Sequence, residues 1–177
     1  IIIPTGKIGL VLAKDGAELE TGRILGRKVD CDSFQDAEAF LHNGGRKGRQ
    51  TSIIAPGSYR INTYLFEVEL TDMTMIPDNA VGIVTTAEGK PLEEGQIAGK
   101  IIEGHNKFQD ADMFLQKEGL KGLQEQVILA GSYFLNPWFA RIEMVKMTEI
   151  PIGHVGVVIS YVGSEGVDLS GVEFKHG

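Results

Sequence analysis

Hydrophobic and polar positions follow one pattern that the chain contains twice and begins a third time. Each copy opens with an apolar, β-branched run, at residues 7–13, 80–86 and 154–161. A short run that is apolar on both alternations predicts a strand buried on both faces. Pro4, Pro77 and Pro151 lie just ahead of these runs, where the missing N–H of proline costs a strand least.

A glycine recurs at one register position inside the three predicted strands, as Gly9, Gly82 and Gly156. A glycine in the middle of a strand indicates a bulge or a close approach of another part of the chain. Three occurrences at the same place indicate a constraint that the copies share. We therefore expect valine at Gly9 or Gly82 to disrupt the fold.

A second strand and a helix are predicted next in each copy. The second strands are expected at residues 22–29 and 95–102. Ser33 and Asp36 form a Ser-x-x-Asp pattern, which predicts a capping box at the start of the first helix. Apolar residues then recur at helical spacing, at Phe34, Ala37, Phe40 and Leu41 and again at Phe108, Ala111, Phe114 and Leu115.

The second helix lacks this capping pattern. Lys107 stands where the first copy has Ser33, so any cap is expected from Asn106. The helix itself is predicted in both copies because its apolar spacing is kept.

Two further strands joined by a tight turn complete each predicted unit. They follow a Gly-x-Lys-Gly-x-Gln loop and are expected at residues 52–55 and 59–70, then at 126–130 and 133–144. Gly57 and Gly131 lie in the turn between them.

The two complete copies match along their length. Gly9 and Gly82 are 73 residues apart, and Phe34 and Phe108 are 74 apart, so one residue is inserted between these positions. A period of this length indicates stacked supersecondary units that bury apolar surface against each other. The predicted fold class is α+β and β-dominated, with tandem antiparallel β modules that each carry one short helix. The predicted units are residues 1–75 and 76–149, with the start of a third unit, truncated, at 150–177.

Composition supports a packed core and argues against nucleic-acid binding. The 177 residues are 42% hydrophobic and 23% charged, with a formal net charge of −7. Such a balance provides no broad basic face for nucleic acid. The local exception is a basic cluster of Arg46, Lys47 and Arg49, a candidate contact for a phosphate or an acidic headgroup. The second copy lacks this cluster, so an ordinary solvated loop is the alternative reading.

Few residues indicate chemistry. Cys31 is the single cysteine, so the chain has no internal disulfide, and no histidine lies near it in sequence. Asp36 and Asp110 match between copies, and we read both as carboxylates that favour the positive end of a helix. The histidines lack zinc-site spacing. The sequence therefore predicts no catalytic residue, metal or cofactor, and no enzyme.

An aromatic pair interrupts the match between the copies. Trp138 and Phe139 follow Pro137, where the first copy has Tyr64 and Leu65 after Thr63. Two interpretations remain open for this pair, an anchor of an interaction surface and ordinary core packing.

Two family resemblances follow from short motifs. The Ile-Pro-x-Gly-x-x-Gly-Val-Val stretch at residues 150–158 resembles the start of the SPFH (band 7) domain of stomatins, prohibitins and flotillins, and residues 163–177 resemble a glycine-rich passage of flotillin-like bacterial members. The Phe-Gln-Asp motif at Phe34 and the Pro-Gly-Ser-Tyr motif at Gly57 are similar to the tandem β repeats of vault proteins.

The SPFH resemblance implies a bacterial, membrane-associated scaffold that organises membrane or partner proteins. It further implies a homo-oligomeric ring or cage, modules that face the cytoplasm, and a membrane anchor and coiled coil outside this chain, which would then be a fragment. The vault resemblance implies a shell-forming module without a membrane link. A third hypothesis is a β module that binds a small ligand or carbohydrate in a cleft between units.

Overall fold

Small antiparallel sheets form two matching sets, one in each repeat. The computed structural model describes residues 1–159, of an α+β fold that is 35% strand and 8% helix. Repeat 1 contains β1 (Ile2–Ile3), β2 (Lys7–Ala13), α1 (Ala37–His42), β3 (Gly48–Ile54), β4 (Gly57–Ser58) and β5 (Phe66–Asp72). Repeat 2 contains β6 (Thr74–Ile76), β7 (Ala80–Thr86), α2 (Ala111–Gln116), β8 (Gly122–Leu123), β9 (Gly131–Tyr133) and β10 (Ala140–Lys146).

The two repeats share strand order and register. Repeat 1 forms a sheet in the order β3-β2-β5 and a ribbon of β1 and β4, and repeat 2 forms β8-β7-β10 and a ribbon of β6 and β9. Ala13 pairs with Phe66 in one repeat, and Thr86 pairs with Ala140 at the corresponding place in the other. The duplicated sequence therefore produces a duplicated topology.

The central strands β2 and β7 confirm the strands predicted at residues 7–13 and 80–86. Burial on both faces is right for β2 and wrong for β7, in which buried positions alternate with more open ones. The third predicted strand, at residues 154–161, falls partly outside the described residues, and residues 154–159 form no strand.

The mid-strand glycines allow side chains from neighbouring strands to approach closely. A Cβ at Gly9 would lie 2.9 Å from Val68 Cγ1 and 3.0 Å from Ile3 Cδ1. One at Gly82 would lie 2.7 Å from Ile76 Cδ1 and 2.8 Å from Ile142 Cγ2. Both glycines remain in regular register with β5 or β10, and the irregularity between β2 and β3 lies beyond Gly9, between Leu10 and Leu12. Close packing therefore explains the two glycines.

The strands predicted at residues 22–29 and 95–102 are wrong. Each segment makes a single parallel bridge, between Gly26 and Gln50 or between Gly99 and Gln124. The Gln50 side chain is buried and donates to the carbonyls of Arg46 and Gly48. A Cβ at Gly26 would lie 2.7 Å from Gln50 Oε1, so the segment is held at one point against this amide.

The capping box predicted at Ser33 and the cap expected from Asn106 are also wrong, because both residues lie in left-handed turns. Asp32, Ser33 and Phe34 have φ of 48°, 54° and 66°, and Asn106, Lys107 and Phe108 repeat these values within a few degrees. Such backbone costs about 1–2 kcal/mol per non-glycine residue. Asp36 and Asp110 are the N-caps instead, and their carboxylates accept from the amides of Ala39 and Met113.

Other strand bounds shift from their predicted places. β3 begins at Gly48, inside the predicted loop, while residues 126–130 form only a bridge between Ile128 and Gly82. The long strands predicted at 59–70 and 133–144 are shorter, because a turn interrupts each. Asn62 Oδ1 accepts from the Tyr64 amide, and Asn136 Oδ1 accepts from the Trp138 amide.

The described residues from Thr148 onward belong to a unit separate from Ile1–Met147. In its described part, the opening of the repeat pattern recurs as a turn in which the His154 amide donates to the Pro151 carbonyl at 3.0 Å. Lys7 with Pro4 and Ala80 with Pro77 make the same bond. The flotillin-like passage at 163–177 lies outside the described residues.

Candidate functional site

The residues that join the two repeats form the most elaborate polar arrangement in the described chain. Leu25 belongs to repeat 1, yet it is 1% exposed and lies in the core cluster that residues of repeat 2 otherwise build. Full burial of a leucine side chain stabilises by about 1.5–3 kcal/mol. Leu25 therefore anchors repeat 1 to repeat 2.

Glu88 of repeat 2 binds the Leu25 amide and the neighbouring Arg23 side chain. Its Oε2 accepts from the Leu25 amide at 3.2 Å, and its Oε1 pairs with the Arg23 guanidinium. Burial raises the pKa of Glu88, and the adjacent Arg23 opposes that shift. The carboxylate is thus a buried acceptor that serves the partner repeat.

Asp112, in the first turn of α2, makes the second connection. Its Oδ1 accepts from the Lys28 amide at 2.9 Å, and its Oδ2 accepts from the Thr51 hydroxyl. The residue is 6% exposed. Burial raises the pKa of Asp112 above its ordinary range, although the Thr51 and Lys28 hydrogen bonds oppose the shift.

Asn136 and Trp138 complete the joint. Asn136 Nδ2 donates to the carbonyls of Gln50 and Thr51 at 2.9 and 3.0 Å, and its own Oδ1 holds the Trp138 amide. The Arg49 guanidinium carbon lies 5.0 Å from the centroid of the Trp138 ring, in a cation–π contact. Repeat 2 thereby makes hydrogen bonds to backbone carbonyls of β3.

We define the leading face of a repeat by the four positions that make these contacts, Glu88, Asp112, Asn136 and Trp138 in repeat 2 and Asp15, Glu38, Asn62 and Tyr64 in repeat 1. All four are exposed in repeat 1, and Tyr64 is 93% exposed. Asn62 is nevertheless held by the same Oδ1 bond as Asn136. The leading face of repeat 1 therefore has side chains of similar type and the same turn as the joint. Within the described residues, no partner repeat covers it.

We define the trailing face by the positions on the other side of the joint, Arg23, Leu25, Lys28, Arg49 and Thr51 in repeat 1 and Gln96, Ala98, Ile101, Leu123 and Glu125 in repeat 2. The amides of Leu25 and Lys28 donate hydrogen bonds across the joint, to Glu88 and Asp112. The corresponding amides of Ala98 and Ile101 have no acceptor within residues 1–147. Among those residues, the trailing face of repeat 1 is covered by a neighbouring repeat and that of repeat 2 is not.

A cleft of about 620 Å³ lies beside the joint and is lined by both repeats. Its walls include the two left-handed turns, the acidic residues Asp30, Asp32, Asp110 and Asp112, and the polar residues Ser33, Ser52 and Asn106. Within the described residues, no group of His, Cys, Asp or Glu is arranged to hold a metal ion.

The predicted basic cluster is divided between two surroundings. Arg46 is engaged within its own repeat, with Nη2 3.0 Å from Glu20 Oε1 and Nη1 3.1 Å from the Glu18 carbonyl. Lys47 is exposed, and Arg49 lies over Trp138 at the joint. The structure thus brings Arg49 and Trp138 together and leaves Arg46 on a separate contact.

The predicted aromatic pair divides in the same way. Phe139 is fully buried, and its ring centroid lies 5.4 Å from that of Phe114. Trp138 packs at the edge of the same core and faces Arg49. Of the two open interpretations, core packing describes Phe139 and an anchor between repeats describes Trp138.

Cys31 and His105 occupy one repeat position and play one structural part. His105 Nδ1 accepts from the Phe108 amide at 2.7 Å and so closes the left-handed turn. The Phe34 amide donates to Cys31 correspondingly, and burial raises the pKa of the Cys31 thiol. A buried thiol with a raised pKa is a poor nucleophile.

Sequence reasoning missed Leu25, Glu88, Asp112 and Asn136. Glu88 and Asn136 have counterparts of similar type, Asp15 and Asn62, so these positions do not show that only one copy is covered. The joint could have been inferred from two matched positions at which the repeats differ, Leu25 against Ala98 and Thr51 against Glu125.

No described helix is long and apolar enough to cross a membrane. Comparison of the chain with family models, curated proteins and solved structures gave no match.

Proposed function

We propose that the chain is a non-enzymatic scaffold module whose repeats stack end to end in a homo-oligomeric assembly. The joint between the repeats supports this proposal. In it, side chains of repeat 2 make hydrogen bonds to backbone groups of repeat 1, a form of contact that any further repeat of the same shape could extend. Repeat 1 keeps an exposed leading face with the same kinds of side chain.

The geometry of the joint favours assembly because its two faces differ. A contact between two different faces is heterologous, so it leaves one face of each kind open after every addition. Such contacts form rings when the rotation between units closes and filaments when it does not. Homo-oligomeric rings or cages are therefore one product of this arrangement.

The place of the assembly follows from the SPFH resemblance and is part of the proposal. A flotillin-like protein would carry these modules at a membrane surface and use them to organise membrane or partner proteins. Electron microscopy of the natural gene product that carries these residues tests the scaffold. Rings or cages support it, and a strictly monomeric particle contradicts it.

A vault-like shell module without a membrane link is the alternative form of the same function. Flotation of the natural gene product with anionic and neutral liposomes distinguishes the two. Recovery in the lipid fraction supports the flotillin-like form. Rings or cages that remain in the protein fraction support the vault-like form.

The cleft beside the joint favours a second candidate function, binding of a small polyhydroxylated ligand. Carboxylate, amide and hydroxyl groups from both repeats line a space of the size that small ligands occupy. A thermal-shift screen with mono- and oligosaccharides tests it, because a ligand that binds only the folded chain raises the Tm. No shift at millimolar concentrations would dispose of this candidate.

A further inference from the structure

The leading face of repeat 1 is acidic and polar. It corresponds position by position to the leading face of repeat 2, which contacts repeat 1. Asp15 stands at the position of Glu88, and Glu38 stands at the position of Asp112 in the first turn of the helix. In repeat 2, the carboxylates of Glu88 and Asp112 accept hydrogen bonds from the amides of Leu25 and Lys28. Asp15 Oδ1 already accepts from the Gly16 amide at 2.8 Å, so Asp15 Oδ2 and the Glu38 carboxylate are the acceptors left for an incoming backbone.

The side-chain amide of Asn62 is oriented in the same way as that of Asn136. Its Oδ1 accepts from the Tyr64 amide at 3.0 Å, as Asn136 Oδ1 accepts from Trp138 at 2.9 Å. This bond fixes the side-chain amide while leaving Nδ2 free to donate. In repeat 2 that nitrogen donates to two carbonyls of β3.

From this correspondence we propose that the leading face of repeat 1 is a docking surface for the trailing face of another repeat of the same class. The inference rests on the proposed scaffold function and names the contact through which it operates. The partner face carries a cation at the position of Arg23, a leucine at that of Leu25 and a hydroxyl at that of Thr51.

Charge and shape select this partner. Asp15 and Glu38 would meet the basic trailing face that repeat 1 itself has, with Arg23, Lys28 and Arg49, and Tyr64 would receive the arginine that Trp138 receives. Aromatic faces attract cations in this geometry. The surface is complementary to a trailing face of the repeat 1 kind.

The trailing face of repeat 2 is a poor match for the same surface. Glu125 replaces Thr51 there, so it would approach Glu38 with like charge and without a hydroxyl to donate. Ala98 replaces Leu25 and would leave the apolar anchor unfilled. End-to-end contact between repeats 1 and 2 of two separate copies is therefore weak, and Glu125 determines which repeat can follow. The homo-oligomer proposed above then requires a further repeat of the natural gene product to supply the matching trailing face.

A gain-of-function variant tests the inference. The triple substitution Gln96→Arg, Ala98→Leu and Glu125→Thr gives repeat 2 the trailing face of repeat 1. Sedimentation velocity over a concentration series should show end-to-end association at least about 10-fold tighter than that of the wild type, which corresponds to about 1.4 kcal/mol. Adding Glu38→Ala to the triple variant should return the association to the wild-type level.

Two outcomes overturn the inference. The first is a folded triple variant that sediments as the wild type does, and the second is association that persists after Glu38→Ala. Circular dichroism verifies the fold. If the triple variant does not fold, the single change Glu125→Thr at an exposed position takes its place, with a smaller gain expected in the same direction.

A salt series on the wild type gives an independent result. Screening of the repulsion between Glu38 and Glu125 should strengthen the weak association as ionic strength rises. Weaker association in salt would contradict the part assigned to Glu125. Failure of these tests removes this docking surface, whereas the scaffold itself fails only if the natural gene product is monomeric.

Discussion

Repeat 1 and repeat 2 share strand order and register, yet they treat the same four positions in opposite ways. Glu88, Asp112 and Asn136 are buried at the joint, whereas their counterparts in repeat 1 are exposed. The features common to both repeats are those that fold one unit, such as the mid-strand glycine and the buried glutamine. The features that differ are those that depend on a neighbour.

The largest effect is expected where both repeats have the same requirement. Gly9→Val and Gly82→Val should each lower the free energy of unfolding by about 3 kcal/mol, because the new side chain enters space that neighbouring side chains already fill. Urea unfolding measures this. Glu69→Val, at an exposed position of β5, is the control and should change little. Unchanged stability in either glycine variant would refute the close-packing explanation.

The next effect should separate the repeats. Asp112→Ala removes the acceptor of the half-buried Lys28 amide and one partner of the buried Thr51 hydroxyl, which should cost about 2 kcal/mol. Glu38→Ala, at the matched exposed position, should change stability by less than about 0.5 kcal/mol. Both values come from urea unfolding. Equal losses would mean that the joint contributes nothing at Asp112.

The smallest effect is a dependence on pH that only the buried copy shows. Because burial raises the pKa of Asp112, the folded chain holds this proton more tightly than the unfolded chain does. Stability from this group is therefore greatest at low pH and is lost as pH rises from about 4 through the raised pKa.

Asp112→Asn removes this charge and keeps an acceptor for the Lys28 amide. Urea midpoints of the variant, measured from pH 4 to pH 8, should fall less steeply than those of the wild type. Glu38→Gln is the matched control and should leave the wild-type slope in place. If Asp112→Asn does not reduce the fall of the urea midpoint with pH, the Asp112 carboxylate is not buried in its charged form.

Much of the single repeat was predictable because its pattern is local. The strands at residues 7–13 and 80–86 are confirmed, and so are both helices, although each begins after an aspartate cap. Ser33 misled because Ser-x-x-Asp also fits a left-handed turn that precedes the cap. Residues 22–29 misled because one bridge to Gln50 and the contacts of the joint hold the segment in place without a strand ladder.

The joint was not predictable from the pattern. Four of its hydrogen bonds run from side chains of repeat 2 to backbone groups of repeat 1, and a backbone group has no sequence signature. The exposure of Tyr64 and the partial burial of Trp138 likewise depend on a neighbour and not on residue type.

Amide hydrogen exchange of the wild-type chain, followed by NMR, tests the joint most directly. The account predicts slow exchange for the Leu25 and Lys28 amides, which Glu88 and Asp112 accept, and fast exchange for the matched amides of Ala98 and Ile101. Equally fast exchange at all four amides would show that the repeats do not join in this way and would contradict the account.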